Sequence, residues 1–129
     1  ISKPIYQQCM KYKNFRDLKV WHSAMDLSVE IYELTKQFPR EEMYSLTDQI
    51  RRAAVSVPSN IAEGHDRNTP KDTKNFYFIA YGSLAEVETQ LEIANRLGYI
   101  NEDEVTHINH HIYEVRKMLW SLINHIQPL

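Results

Sequence analysis

The chain has 129 residues, with 15 Lys plus Arg against 17 Asp plus Glu and a formal net charge of -2. This length fits one domain with its own core, and the charge excludes a strong overall attraction to nucleic acid. Apolar residues at 43% exclude a disordered chain, and only three glycines and five prolines leave few residues for the turns of a sandwich or barrel, so composition favours helices.

The first predicted helix spans residues 17–38, because apolar residues recur there at alternating steps of four and three. Pro39 disfavours helical geometry at Phe38 and should end the helix. A second stripe beside the first widens the apolar face, which is typical of a bundle helix rather than of a two-stranded coiled coil. The two stripes are Val20, Ala24, Leu27, Ile31, Leu34 and Phe38, and Leu18, Trp21, Met25 and Tyr32.

The second predicted helix spans residues 45–64, with Ser45 as its N-cap and Asp48 three residues later. Pro58 removes the hydrogen bond to the Ala54 carbonyl, yet the apolar stripe stays in phase across it. We therefore predict a kink at Pro58 rather than an end. Gly64 is the predicted terminator.

The third predicted helix spans residues 70–97. Thr69 is its expected N-cap, Pro70 takes the first helical position, Asp72 closes a capping box, and Gly98 ends the helix. Its core stripe is Tyr77, Ala80, Leu84, Val87, Leu91 and Ala94.

The fourth predicted helix spans residues 102–127, with Asn101 and Glu104 forming a capping box and Ile100 packing on Val105. Its stripe is Val105, Ile108, Ile112, Val115, Leu119, Leu122 and Ile126. The three connections are short, so sequential helices must run antiparallel. The sequence predicts an all-α, up-down-up-down four-helix bundle.

The termini and the compartment follow from simple features. Met10 begins a segment that reads as a natural start, so we expect residues 1–9 to be an extension, residues 1–14 to form an arm and residues 15–127 to form the bundle. The single cysteine, Cys9, cannot form an intramolecular disulfide, which favours a reducing compartment, and we expect the cytoplasm. The charge-free stretches are too short to span a bilayer, so we expect no membrane partner.

Three runs carry a resemblance to a known family: NFRDLKVW at residues 14–21, QIRRAAVSVPSNIAEG at 49–64 and GSLAEVETQL at 82–91. Residues 11–127 resemble the bacterial four-helix-bundle proteins encoded in intervening sequences of the large-subunit (23S) ribosomal RNA gene. The resemblance implies a ring of five bundles with an undefined biochemical role. A related branch, the accessory proteins of diversity-generating retroelements, is basic and works with nucleic acid, and this chain departs from it in charge.

Basic residues are the first candidate site. A local patch for RNA or DNA phosphates is one interpretation, and a solvated surface with ion pairs to nearby acids is the alternative that charge runs usually favour. The candidates are Lys13, Arg16, Lys19, Arg51, Arg52, Arg67, Lys71 and Lys74.

A polar set beside the Pro58 kink is the second candidate. We expect Ser56, Asn60, Glu63, Ser83 and Glu86 to form a buried network with Pro58 that satisfies backbone groups freed by the proline. A catalytic role would need a base and a pocket, and no histidine, nucleophile elbow or glycine-rich phosphate loop accompanies these residues. We predict no catalytic site, no cofactor and no small-molecule substrate.

Three side chains on the fourth helix have metal-ligand spacing, His107, His111 and Glu114. They belong to a polar run, however, and the glutamate-histidine pairs of di-iron bundles are absent from the stripes. We predict no metal site.

The third helix carries apolar or small residues outside its core stripe, which either the N-terminal arm or another subunit must cover. Large exposed apolar patches usually mark contacts, so we expect a homo-oligomer. The candidate interface residues are Phe15, Trp21, Phe78, Tyr81, Gly82 and Ala85. Two functions stay open at this point: a scaffolding assembly of bundles, and a nucleic-acid-binding accessory protein.

Overall fold

The computed structural model describes residues 14–126, and the described chain folds into four α-helices joined by short connections. The helices are α1 (Lys19–Thr35), α2 (Leu46–His65), α3 (Pro70–Arg96) and α4 (Glu102–Asn124). Short 3-10 turns at Phe15–Asp17 and Arg40–Glu42 precede α1 and α2. The described part of the chain therefore confirms the predicted all-α four-helix fold. The predicted extension at residues 1–9 lies outside the described residues.

Hydrogen bonds between helices show that each neighbour runs antiparallel to the next. From Ser23 in α1 to Gln37 just after it, the bonding partners on α4 run backwards from His111 to Glu104. The α1–α2 and α3–α4 pairs show the same reversal, as does the α2–α3 pair. Contacts follow the ring α1, α2, α3, α4 and back to α1, with the α2–α3 pair the most extensive and the α4–α1 pair the least.

The core consists of the predicted stripes with few changes. Every predicted core residue of α3 is buried. On α4 the last turn differs, because Ile123 is buried where Leu122 was expected, and Leu122 only packs against the core edge. In α1 the second stripe is split, since Leu18 is buried while Met25 and Tyr32 are about half exposed.

The predicted capping residues act at three helix ends, but the capping box predicted at Thr69 and Asp72 forms only one of its two bonds. The Thr69 side chain accepts a hydrogen bond from the Asp72 amide at the start of α3. Both bonds of the Asn101–Glu104 capping box are present at the start of α4. The Asn101 backbone N–H and the Gln37 side-chain amide both donate to the Glu104 carboxylate and lower its pKa. Gly98, at φ 81, ends α3, with the Tyr99 amide bonded to the Ala94 carbonyl.

The residues predicted to cap the start of α2 and to terminate its end, Ser45 and Gly64, do not have these roles. The Ser45 side chain makes no capping bond, and the Glu42 carboxylate accepts from the Leu46 amide instead, at 3.3 Å. Glu42 also accepts from the Tyr99 hydroxyl at 2.7 Å, which raises the pKa of Tyr99 and joins the two connections at this end of the bundle. Gly64 does not terminate α2, because the helix continues to His65.

Gly64 instead marks the closest approach of α2 and α3. A Cβ atom at this position would lie 2.9 Å from the Phe76 Cβ and 2.9 Å from a ring carbon of Tyr77. Because real Cβ atoms do not approach other atoms this closely, only glycine allows the helices to pack at this distance. The glycine is a packing residue rather than a helix stop.

Candidate functional site

Helix α2 runs through Pro58 without ending, as the in-phase stripe predicted. Pro58 has no N–H to donate to the Ala54 carbonyl, so this buried oxygen needs another donor. The hydroxyl of Ser28 on α1 lies 3.0 Å from this oxygen and also 3.0 Å from the Ala24 carbonyl of its own helix, so its single hydrogen is shared between the two acceptors. The residue that satisfies the freed carbonyl therefore comes from the neighbouring helix, and it was absent from the predicted set.

The predicted polar network forms in part. The Ser56 and Ser83 hydroxyls lie 2.8 Å apart across the α2–α3 contact, and the Asn60 amide donates to the Ser56 carbonyl and hydroxyl at 2.8 and 2.9 Å. Glu63 instead pairs with Arg67 at 2.6 Å, and Glu86 is exposed, so the structure brings neither into the network. The hydroxyls face each other and an amide rather than a base, an arrangement that fixes helix register.

A groove of about 470 Å³ runs along the outer side of α1 and α2. Phe15 and Trp21 form its end, with their rings 5.2 Å apart. The groove walls are predominantly apolar and include Met25, Val29, Tyr32, Val55, Pro58 and Ala62. We call this surface the α1–α2 groove. Phe15 packs here and not on α3, so the N-terminal arm within the described residues does not cover the apolar side of α3.

A second apolar surface lies on the outer side of α3 and α4. Phe78 is 47% exposed and Trp120 on α4 is 47% exposed. The Trp120 ring packs against the Tyr81 ring at 5.8 Å, and Gly82 and Ala85 are exposed beside it. We call these five residues the α3–α4 face. Because the helices contact in ring order, this face and the α1–α2 groove lie on opposite sides of the bundle.

The predicted basic residues lie at two separate places. Arg51 and Arg52 are near the start of α2, beside the C-terminal end of α1. Arg51 donates to the Thr35 hydroxyl at 2.8 Å and to the Tyr32 carbonyl at 3.3 Å, and its guanidinium stacks on the Tyr32 ring. Arg51 therefore caps the end of α1. Arg52 pairs with Asp48 at 2.9 Å.

The other predicted basic residues that the structure describes share the opposite end of the bundle. They are Arg16, Lys19, Arg67, Lys71 and Lys74, and Lys13 lies outside the described residues. They are brought together because the start of α1 and the α2–α3 connection meet at this end of an antiparallel bundle. Four acids accompany them in sequence, Asp17, Glu63, Asp66 and Asp72. The end therefore carries a mixed surface in which cations slightly outnumber acids.

The histidines with metal-ligand spacing bind a carboxylate on α1. Glu30 contacts His107 Nε2 at 2.8 Å through one oxygen and His111 Nδ1 through the other. Glu114 is not part of this group and lies 3.9 Å from Lys117. Within residues 14–126, no group of three His, Cys, Asp or Glu side chains is placed to hold a metal ion.

Three important residues were not predicted from the sequence, Ser28, Glu30 and Trp120. Each lies on the flank of a helix, where the sequence pattern does not distinguish a side chain that contacts another helix from an ordinary surface residue. Helical spacing alone places Ser28 and Glu30 on two different flanks of α1. Their partners depend on which helix packs on each flank, so no local signal identifies them.

Among the helices of residues 14–126, none contains an apolar run of the length that a bilayer-spanning helix needs. Comparisons with known proteins agree with this small helical domain. Residues 16–121 match the 23S rRNA-intervening sequence protein family. A solved structure of a protein of unknown function from the S23 ribosomal protein family of Bacteroides thetaiotaomicron is similar, with 30% sequence identity and a TM-score of 0.74. The match covers 81% of this chain and 97% of that one. No curated protein matches. The chain belongs to the 23S rRNA-intervening sequence protein family.

Proposed function

We propose that the protein is a non-enzymatic building block that assembles with copies of itself and acts as a scaffold in the cytoplasm. The observation that carries this proposal is the pair of apolar surfaces on opposite sides of one bundle. The α1–α2 groove is concave, and the α3–α4 face presents the exposed rings of Phe78 and Trp120. Apolar patches of this kind on small proteins usually mark contacts with other chains.

Two different surfaces on opposite sides favour a head-to-tail arrangement, in which the face of one copy enters the groove of the next. Such contacts close into a ring when the rotation between copies allows it. The ring of five implied by the family resemblance is one such closed arrangement. Five bundles around one axis would also repeat every surface residue five times, which strengthens weak binding to an extended partner.

Light scattering on purified full-length protein tests the assembly. The wild-type mass at micromolar concentration should be a multiple of the chain mass. Val29→Arg in the groove and Phe78→Glu on the face should each give monomers, because each variant disables one side of every contact. Tyr44→Ser is the matched control, since Tyr44 is 93% exposed in the α1–α2 connection, away from both surfaces, and should leave the mass unchanged.

Mixing the two variants distinguishes head-to-tail contacts from symmetric ones. A Val29→Arg chain keeps an intact face and a Phe78→Glu chain keeps an intact groove, so the mixture should form a heterodimer and nothing larger. If groove met groove, Phe78→Glu alone would remain associated. A monomeric wild-type protein would refute the proposal as a whole.

A nucleic-acid-binding accessory role is the second candidate, and one observation favours it. Arg16, Lys19, Arg67, Lys71 and Lys74 share one end of the bundle although they are distant in sequence. Lysine and arginine side chains bind phosphates of any sequence, and binding of this kind weakens as salt rises. Assembly would place one such end on every subunit of the ring.

Fluorescence anisotropy with short RNA and DNA at low salt tests this role. Lys71→Gln with Lys74→Gln should weaken binding and reduce the slope of log affinity against log salt, by about 0.9 for duplex DNA or about 0.7 for a single strand per phosphate that the variant no longer neutralises. Arg96→Gln is the matched control, because Arg96 is an exposed cation at the far end of α3, paired with Glu92 at 2.9 Å. Absence of binding by the wild-type protein at low salt would exclude the role. Arg51 is unsuited to this test because it caps α1.

A further inference from the structure

The bundle carries most of its negative charge in one half of its length. The Ser28–Ala54 hydrogen bond joins the midpoints of α1 and α2 and divides the bundle across its long axis. The half with the α1–α2 and α3–α4 connections comprises residues 29–53 and 84–112, all of them described. It holds 11 Asp and Glu against five Lys and Arg, a formal charge of -6 with histidines neutral. We call it the acidic half.

The rest of the described chain is almost neutral. It comprises residues 14–28, 54–83 and 113–126, with the division on α3 at the Ser56–Ser83 contact and that on α4 at the helix midpoint. These residues hold seven Lys and Arg against six Asp and Glu, a formal charge of +1. We call this part the near-neutral half. The net charge of -2 therefore conceals a strong difference between the two halves.

Several carboxylates of the acidic half are held by neutral donors, which leave their charge in place. Glu42 accepts from the Tyr99 hydroxyl at 2.7 Å, and Glu104 accepts from the Gln37 amide at 2.7 Å. These bonds favour the ionised carboxylate, and the pKa of Glu104 is lowered by its donors. The acidic half therefore keeps its negative charge at neutral pH.

The two apolar surfaces lie mainly in the near-neutral half, at similar heights along the bundle. The α1–α2 groove has Phe15 and Trp21 at its end and Pro58 on its wall. The α3–α4 face has Phe78 and Trp120, and all five residues belong to the near-neutral half. A face can therefore meet the groove of a neighbouring copy without any shift along the bundle axis when the two copies are parallel.

Ring closure also favours parallel copies. In a closed head-to-tail ring of several copies, each copy is turned by only a fraction of a full rotation from the last, so no bundle is inverted relative to its neighbour. Antiparallel copies would need a shift along the axis to bring groove and face together, because both surfaces are displaced toward the same end. Parallel copies place acidic halves side by side.

Charges on adjacent copies are close enough to repel each other at low ionic strength. Packed helices lie about 8–10 Å apart, so charges on the facing sides of two bundles are separated by roughly 10–20 Å. The screening length is about 30 Å in 0.01 M salt and about 8 Å in 0.15 M salt. Because repulsion scales with the product of the two charges, it is far larger between acidic halves than between near-neutral halves.

We propose that repulsion between neighbouring acidic halves regulates self-assembly, so that the assembly is weak at low ionic strength and tightens as cations screen these halves. This regulation rests on the proposed self-assembly through the α1–α2 groove and the α3–α4 face. Its sign is opposite to that of phosphate binding by the basic residues of the near-neutral half, which salt weakens. Cations would therefore favour the assembled form and oppose binding of nucleic acid.

A dilution series of the full chain, followed by light scattering, tests the regulation. The midpoint concentration of assembly should fall by about tenfold or more between about 20 mM and about 200 mM NaCl. This salt range is low enough for screening to dominate over the general strengthening of apolar contacts that occurs at high salt.

A charge variant identifies the half that is responsible. Glu41→Gln, Glu86→Gln and Asp103→Asn together remove three exposed acids that lie in neither the groove nor the face. The charge of the acidic half changes from -6 to -3, which reduces the repulsion to about one quarter. The triple variant should assemble more tightly than the wild type at low salt and lose most of the salt dependence.

The matched control removes the same number of acids from the near-neutral half, by Asp17→Asn, Asp26→Asn and Glu114→Gln. Both triple variants change the net charge of the chain equally, from -2 to +1. The control should keep a salt dependence at least as strong as that of the wild type, because its acidic half is intact. Equal loss of salt dependence in both variants would contradict a role for the acidic half.

The outcomes separate this regulation from self-assembly itself. An oligomer that salt leaves unchanged or weakens would overturn the regulation and leave the assembly in place, and weakening would indicate neighbours that run antiparallel. A wild-type monomer at every salt concentration would refute both.

Discussion

Substituting Gly64 by alanine should destabilise the protein, although alanine favours helices. A Cβ atom at Gly64 would meet the Phe76 Cβ at 2.9 Å and the Tyr77 ring at 2.9 Å. The first contact is fixed to the α3 backbone, and the second belongs to a ring that is 1% exposed and has no room to turn away. Relief therefore requires α2 and α3 to separate along their contact, which is the most extensive in the bundle.

The magnitude follows from two opposing effects. Glycine to alanine inside a helix stabilises by about 1 kcal/mol. Overpacking a tightly packed contact costs about 1–3 kcal/mol, and more when the backbone must move. Since the obstructing atoms are backbone-anchored or fully buried, we expect the upper part of that range and a net destabilisation of about 1–2 kcal/mol.

Gly82→Ala is the matched control, because Gly82 lies in the middle of α3 and a Cβ atom there would meet nothing within 4 Å. This variant should be more stable than the wild type by about 0.5–1 kcal/mol. Urea denaturation followed by circular dichroism gives both values. Both substitutions are compared in the Phe78→Glu background, which should be monomeric, because Gly82 lies in the α3–α4 face and self-association would add to the apparent stability. Equal stability of the two alanine variants would refute the close-approach argument.

Two further predictions concern single hydrogen bonds. Ser28→Ala removes the hydroxyl that bonds the buried Ala54 carbonyl and should cost about 1–3 kcal/mol in urea denaturation. The cost should be smaller in a Pro58→Ala chain, because alanine at position 58 restores an N–H for this carbonyl. An equal cost with proline and with alanine at position 58 would contradict the bond between Ser28 and Ala54. Asn101→Ala should cost about 0.5–2 kcal/mol at neutral pH and leave the pKa of Glu104 lowered in a carboxyl NMR titration, because the Asn101 backbone N–H that donates to the Glu104 carboxylate remains. Because the folded-state pKa is lowered, the contribution of the Glu104 carboxylate is present at neutral pH and lost in acid, so a Glu104→Gln penalty that does not shrink in acid would count against this bond.

The sequence predicted most of the site elements but not their partners. The Pro58 position correctly indicated an uninterrupted helix with a freed carbonyl at Ala54, and Ser56, Asn60 and Ser83 were correctly expected to bond. The donor to that carbonyl was not predicted, because Ser28 reaches it only after α1 packs on α2. The surfaces named for self-assembly and for phosphate binding stay predictions, with their positions now given by the bundle.

Gly64 and Ser45 show why two local readings were wrong. Each residue type has a strong local preference, glycine for helix ends and serine for N-caps. Gly64 lies where α2 and α3 are too close to leave room for a Cβ atom. At the start of α2, the carboxylate of Glu42 in the preceding turn accepts the hydrogen bond that was predicted for Ser45. In both positions a tertiary or medium-range contact outweighed the local propensity.

The sequence by itself determined the number of helices, their core stripes and the caps of α3 and α4, because these depend on spacing and on groups within one turn. Only the tertiary structure decided which flanks meet: Ser28 with Ala54, Glu30 with His111, and the division of the basic residues between the two ends. These pairings join residues tens of positions apart, and helical periodicity carries no information about which neighbouring helix will cover a given flank.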